Sequence, residues 1–80
     1  MPVVLRVDGF TVRIRTHDHT PPHVHLFYGG EEIVINLGGE STVPQIRDYR
    51  GMSARHARRA LDIVSANGRF LLEKWHEIHT

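Results

Sequence analysis

Two turn-forming dipeptides, Asp8-Gly9 and Gly29-Gly30, each stand between runs of alternating apolar residues, and together they constrain the fold more than any other feature. Both tolerate the positive φ that two-residue hairpins demand. Around the first, Val3, Leu5 and Val7 alternate with Val4 and Arg6, and Phe10, Val12 and Ile14 alternate with Thr11, Arg13 and Arg15. A two-residue turn sets Val7 opposite Phe10, which brings both apolar sets to one face. Around the second, Val24, Leu26 and Tyr28 alternate with His23, His25 and Phe27, and Ile33, Ile35 and Leu37 alternate with Glu32, Val34 and Asn36. That turn sets Leu26 opposite Ile33 and Val24 opposite Ile35, so the apolar faces agree again. Turn chemistry and alternation coincide at two separate places, which marks residues 3–37 as an antiparallel sheet with one apolar face.

A different period begins after Gly51-Met52. Ser53 is a suitable helix N-cap, although His56 stands where a full capping box needs Glu or Gln. Ala57, Leu61, Val64, Gly68, Leu71, Trp75 and Ile78 then form one apolar stripe at helical spacing. Gly68, after Asn67, is where a long helix bends or two helices meet, and the unbroken stripe favours one bent helix. Arg55, Arg58, Arg59, Asp62, Arg69, Glu73 and Glu77 lie on the opposite side and should face water, with Arg58 and Asp62 spaced to pair.

The expected fold is therefore α+β, a four-stranded antiparallel meander with one face covered by a C-terminal helix or a bent helix pair. Leu5, Val12, Ile14, Val24, Leu26, Ile33, Ile35, Leu61, Val64, Leu71 and Trp75 are the expected core. Residues 38–52 form the connector and residues 53–79 the helical part. For a short extra strand around Val43–Ile46, Pro44 argues for an edge or for none. At 80 residues, 40% hydrophobic and 24% charged, the chain reads as one globular domain, 1–80, and not as a disordered, collagen-like or coiled-coil chain.

Composition also limits the chemistry. The chain has no cysteine, which excludes disulfides, thiolate catalysis and cysteine-ligated zinc. No apolar run is long enough to cross a bilayer, and the opening Met1-Pro2-Val3-Val4-Leu5-Arg6 lacks the features of an export signal. The expected location is cytoplasmic. Net charge is +1, yet nine of the ten basic residues are Arg, a side chain suited to planar contact with phosphate or carboxylate. Seven residues are His, and four of these fall between positions 17 and 25.

The second face of the sheet gathers that chemistry. It presents Arg13 and Arg15 on strand two, His23 and His25 on strand three and Asn36 on strand four, with His25 opposite Val34 and His23 opposite Asn36. The segment 16–22 beside it, Thr-His-Asp-His-Thr-Pro-Pro, adds His17 and His19. Three readings compete. His17, His19, His23 and His25 could ligate zinc, nickel or copper. Alternatively, His23 and His25, assisted by His19, could serve as general acid and base while Arg13, Arg15 and Asn36 hold a phosphate, which needs no cofactor. Or the imidazoles could hydrogen-bond loop backbone, with Pro21-Pro22 stiffening the approach to strand three. Phe27 beside His25 could cover a neighbour, stack on a base or meet a partner. Arg55, Arg58 and Arg59 read as a solvated face, His56, His76 and His79 as exposed and idle.

Met1–Arg6, Asp8-Gly9-Phe10, Asp18-His19-Thr20-Pro21-Pro22-His23-Val24-His25, Gly51-Met52-Ser53-Ala54-Arg55, and Asn67 followed by Leu71-Leu72-Glu73-Lys74-Trp75 form a set of short strings. Together they resemble the bacterial domain-of-unknown-function 4160 family. The resemblance spans nearly the whole chain. It implies a small stand-alone protein, encoded beside a second small protein in an arrangement like a toxin–antitoxin pair. A cognate protein partner and action on RNA follow as expectations of that resemblance. His19, Pro22, His23 and His25 match the family's string, whereas His17 stands where the family has another polar residue, which leaves His19, His23 and His25 as the better centre of a site. The leading expectation is a metal-independent ribonuclease. The alternatives are a non-catalytic protein-binding module, acting as antitoxin or regulatory subunit, and a His-rich metal-binding protein.

Overall fold

The computed structural model describes residues 3–39 and 42–79, with Arg50 described by its backbone alone. Five strands and two helices follow one another: β1 (Val3–Val7), β2 (Phe10–Arg13), β3 (His23–Tyr28), β4 (Glu31–Asn36), β5 (Gln45–Arg50), α1 (Ala54–Ala66) and α2 (Gly68–Ile78). The strands form one antiparallel sheet in chain order, β1 to β5. The architecture is α+β as expected, with five strands in place of four.

Both turns set the registers that their chemistry demands. Asp8 and Gly9 have φ of 51° and 82°, the double positive φ of a type I′ turn, and Val7 pairs with Phe10. A side chain at position 9 would also meet the Tyr28 ring at 3.0 Å. Leu26 pairs with Ile33, Val24 with Ile35, His25 with Val34 and His23 with Asn36. One strand departs from simple alternation. The β1 register shifts between Val3 and Leu5, so that Val3 pairs with Arg13 while Leu5 pairs with Val12. This bulge puts Val3 on the polar face and lets Val4 join Leu5 and Val7 against the core.

The connector holds the fifth strand. Gln45–Arg50 starts right after Pro44, which keeps proline out of the ladder, and lies on the sheet's edge beside β4. Its register shifts between Val34 and Ile35, so one extra residue separates Ile46, opposite Ile35, from Tyr49, opposite Ile33. These two apolar residues thus stand opposite core positions from three apart, both still exposed on this edge strand, and a search for period-two alternation does not find them.

The helices divide at Asn67. Its backbone N–H donates to the carbonyls of Ile63 and Val64, its side chain donates to Ile63 O at 2.8 Å, and its own carbonyl accepts from Leu71 N at 2.9 Å. The C-terminal half is therefore two helices sharing a one-residue junction rather than one bent helix. Ser53 caps α1, its Oγ accepting from His56 N at 3.2 Å. The stripe packs on Val12, Ile14, Val24, Leu26, Ile33 and Ile35 in a single buried cluster that also takes in Phe10, Leu37, Met52, Ala60 and Ile63. Leu5 and Leu61 sit at the margin of that cluster, half-buried. Arg59 donates to Asp8, tying α1 to the first hairpin, and this contact raises the guanidinium's pKa above its ordinary value. Among the described residues no helix is long and apolar enough to cross a membrane.

Candidate metal centre

Alternation along β3 sends His23 and His25 to the same side, two residues apart, away from the face that carries Val24 and Leu26. Both side chains nevertheless lie inside the protein, at 5% and 6% exposure. The preceding loop brings Asp18 onto them, and Trp75 of α2 reaches His23 with ring centroids 5.3 Å apart. The expectation of two solvent-facing imidazoles is thus corrected: the loop carboxylate meets both rings and Trp75 of α2 packs on His23.

The hydrogen bonds assign each ring's orientation. His23 Nδ1 lies 2.8 Å from Pro21 O, and His25 Nδ1 lies 3.0 Å from Glu32 Oε2. A carbonyl oxygen can only accept, so Nδ1 of His23 carries its hydrogen and, in the neutral ring, the lone pair is on Nε2. His25 lies between two carboxylates, its Nε2 hydrogen-bonded to Asp18 Oδ2 at the same 3.0 Å that separates Nδ1 from Glu32, so a hydrogen stands on both nitrogens when no other cation takes the Nε2 side. Both Nε2 atoms are directed at one atom, Asp18 Oδ2, at 3.2 Å from His23 and 3.0 Å from His25.

With both rings neutral and protonated on Nδ1, two lone pairs and an anionic oxygen would meet in a buried place, so a cation is favoured among them, either a proton on a ring, as in the His25–Asp18 hydrogen bond, or a metal ion. The spacing suits an ion. Donors bound to one tetrahedral zinc at about 2.0–2.1 Å stand about 3.3 Å from each other. The three donor atoms all lie within 4.8 Å of one another.

A second layer supports the first. Glu32 Oε2 accepts from His25 and also pairs with Arg15 Nη2 at 3.4 Å. Carboxylate and carbonyl acceptors on the far nitrogen are the usual support of metal-binding imidazoles. Arg13, directly across from His25 in the sheet, holds its guanidinium carbon 5.6 Å from the centroid of the Phe27 ring, so Phe27 covers a neighbouring cation. Arg13 Nε, Arg15 Nε and Asn36 Oδ1 are buried without a hydrogen-bond partner among the described residues.

The structure thus brings together His23 and His25 and leaves His17 and His19 exposed on the loop, outside the cluster. Asp18 and Glu32 complete the site and were assigned no role from the sequence. Glu32 was legible, since it pairs with Phe27, two residues from His25 on the same face, and such diagonal neighbours touch. Asp18 comes from an irregular loop, where no periodicity states what a side chain meets. Two other histidines are engaged rather than idle: His56 pairs with Glu31 at 3.3 Å, and His79 donates to Trp75 O at 2.8 Å and stacks on its ring.

The family model described as "Domain of unknown function (DUF4160)" matches residues 9–76, which includes every residue of this cluster. The chain belongs to the DUF4160 family. No curated protein and no solved structure matches the chain. The cluster of this DUF4160 domain must therefore be read from its own geometry.

Proposed function

We propose that the protein binds a divalent transition-metal ion through Asp18, His23 and His25. One observation supports this most: Nε2 of both rings is directed at Asp18 Oδ2 while Nδ1 of both is held by an acceptor. Two imidazoles and one carboxylate suit zinc best, with cobalt and nickel as close alternatives. Three protein donors leave a coordination position for water or another ligand, the pattern of a reactive site rather than a closed structural one. An ion held there polarises a bound oxygen or activates a water.

The acid–base reading, with His23 and His25 moving protons at an RNA phosphate, draws less support. Both rings are buried, and both Nε2 atoms face Asp18. Isothermal titration of untagged protein with zinc, beside elemental analysis of the protein as purified, tests the metal reading. One equivalent bound by the native protein and lost in both His23→Ala and His25→Ala is the expected result. Absence of saturable binding overturns it.

A further inference from the structure

We infer that the metal centre, if it holds its ion as proposed above, takes a phosphoryl oxyanion as its further ligand, gripped by Arg13 and Arg15. The inference rests on the metal reading and adds the chemical class of what binds there.

Charge is the first argument. Asp18 and Glu32 are balanced by Arg13 and Arg15 around the two imidazoles. A divalent ion placed among Asp18, His23 and His25 leaves these groups with an excess of positive charge, which Asp48 on the wall of the adjoining cleft offsets in part, and an anion relieves the remainder.

Unused donors are the second. Arg13 Nε and Arg15 Nε are each buried without a hydrogen-bond partner among the described residues. Leaving a buried N–H unpaired is costly, so an acceptor oxygen is favoured beside each. Arg15 touches Glu32 through Nη2 alone, at the long separation of 3.4 Å, so its Nε–Nη edge is not committed to a bidentate pair. Asn36, opposite His23, leaves Oδ1 buried and unpaired, and the amide turned over would place an NH₂ donor there.

Shape is the third. A cleft of about 260 Å³ opens on Arg15 and His25, with Glu32, Val34, Asp48 and Tyr49 as its other walls, while Arg13, Asp18 and His23 do not line it. A tetrahedral phosphoryl group offers one oxygen to the ion and others to two guanidinium groups. A carboxylate has only two oxygens and leaves one of those donors unpaired.

The test is calorimetric titration of zinc-loaded protein with inorganic phosphate, with phenyl phosphate and with acetate, and of metal-free protein with the same three. Phosphate or its ester should bind the zinc-loaded protein at least tenfold more tightly than acetate and more tightly than it binds the metal-free protein. The two phosphoryl ligands show whether the site prefers a free ion or an ester. Arg15→Gln, checked for folding by circular dichroism, should weaken phosphate binding roughly tenfold with zinc still bound. Arg13→Gln should do the same and serves if the first variant does not fold. If zinc binds and no phosphoryl ligand does, or if acetate binds as well, the inference falls and the metal reading stands. If zinc itself does not bind, both fall.

Discussion

Asp18 Oδ2 stands 3.0 Å from His25 Nε2, joining an irregular loop to the third strand inside the protein. The opposite nitrogen of the same ring meets Glu32 Oε2 at the same separation. A loop carboxylate, a strand imidazole and a carboxylate from the next strand thus form one line, with His23 meeting it at Asp18. A carboxylate that accepts from Nδ1 raises the basicity of Nε2 and fixes the direction of its lone pair.

Replacing the loop carboxylate by its amide tests the head of that line. Asp18→Asn keeps the size of the side chain and removes its charge. Zinc affinity measured by competition with a chelator should fall by about 100-fold or more, since loss of a mere supporting group already costs about 10- to 100-fold. An affinity within threefold of the native protein would show that Asp18 is no ligand.

Glu32 acts through His25 rather than on the ion. Glu32→Gln retains an acceptor for Nδ1 and loses the charge, so zinc affinity should fall by about 10-fold. His17→Ala and His19→Ala should leave it unchanged, because both residues lie exposed outside the cluster. Chelator competition on the three variants separates the Asp18–His23–His25 site from a cage of four histidines.

These two carboxylates also show where the sequence stops being legible. Hairpin chemistry and alternation were enough to set Leu26 opposite Ile33 and His23 opposite Asn36, because a two-residue turn leaves one register. Val3 escaped because a bulge breaks the alternation between Val3 and Leu5. Strand β5 was legible only as a short edge strand around Val43–Ile46 or none, because a register shift sets its Ile46 and Tyr49 three apart. Asp18 escaped because loop geometry has no period. The two histidines were legible as a pair on one face, yet their burial was not, since it depends on Trp75 and on the loop.

Core and surface should part sharply along α2. Leu71 is fully buried, while its neighbour Phe70 is 40% exposed. Leu71→Ala should cost about 2–5 kcal/mol in urea unfolding. Phe70→Ala should cost less than about 1 kcal/mol, the usual range for exposed positions. Equal losses would contradict the described packing.

Metal binding should also appear as stability. Free zinc at a hundred times its dissociation constant adds about 2.7 kcal/mol if the unfolded chain does not bind it. For a domain of this size that corresponds to a rise in Tm of roughly 10–20 °C. The rise should be reversed by a chelator and be absent in His23→Ala. A thermal melt indifferent to zinc would contradict the proposal.

The most direct measurement is anomalous diffraction at the zinc edge from crystals of the zinc-loaded protein. The account predicts one peak at about 2.0–2.1 Å from Asp18 Oδ2, His23 Nε2 and His25 Nε2 together. A peak at His17 or His19 with none among those three atoms would contradict it, as would the absence of any peak.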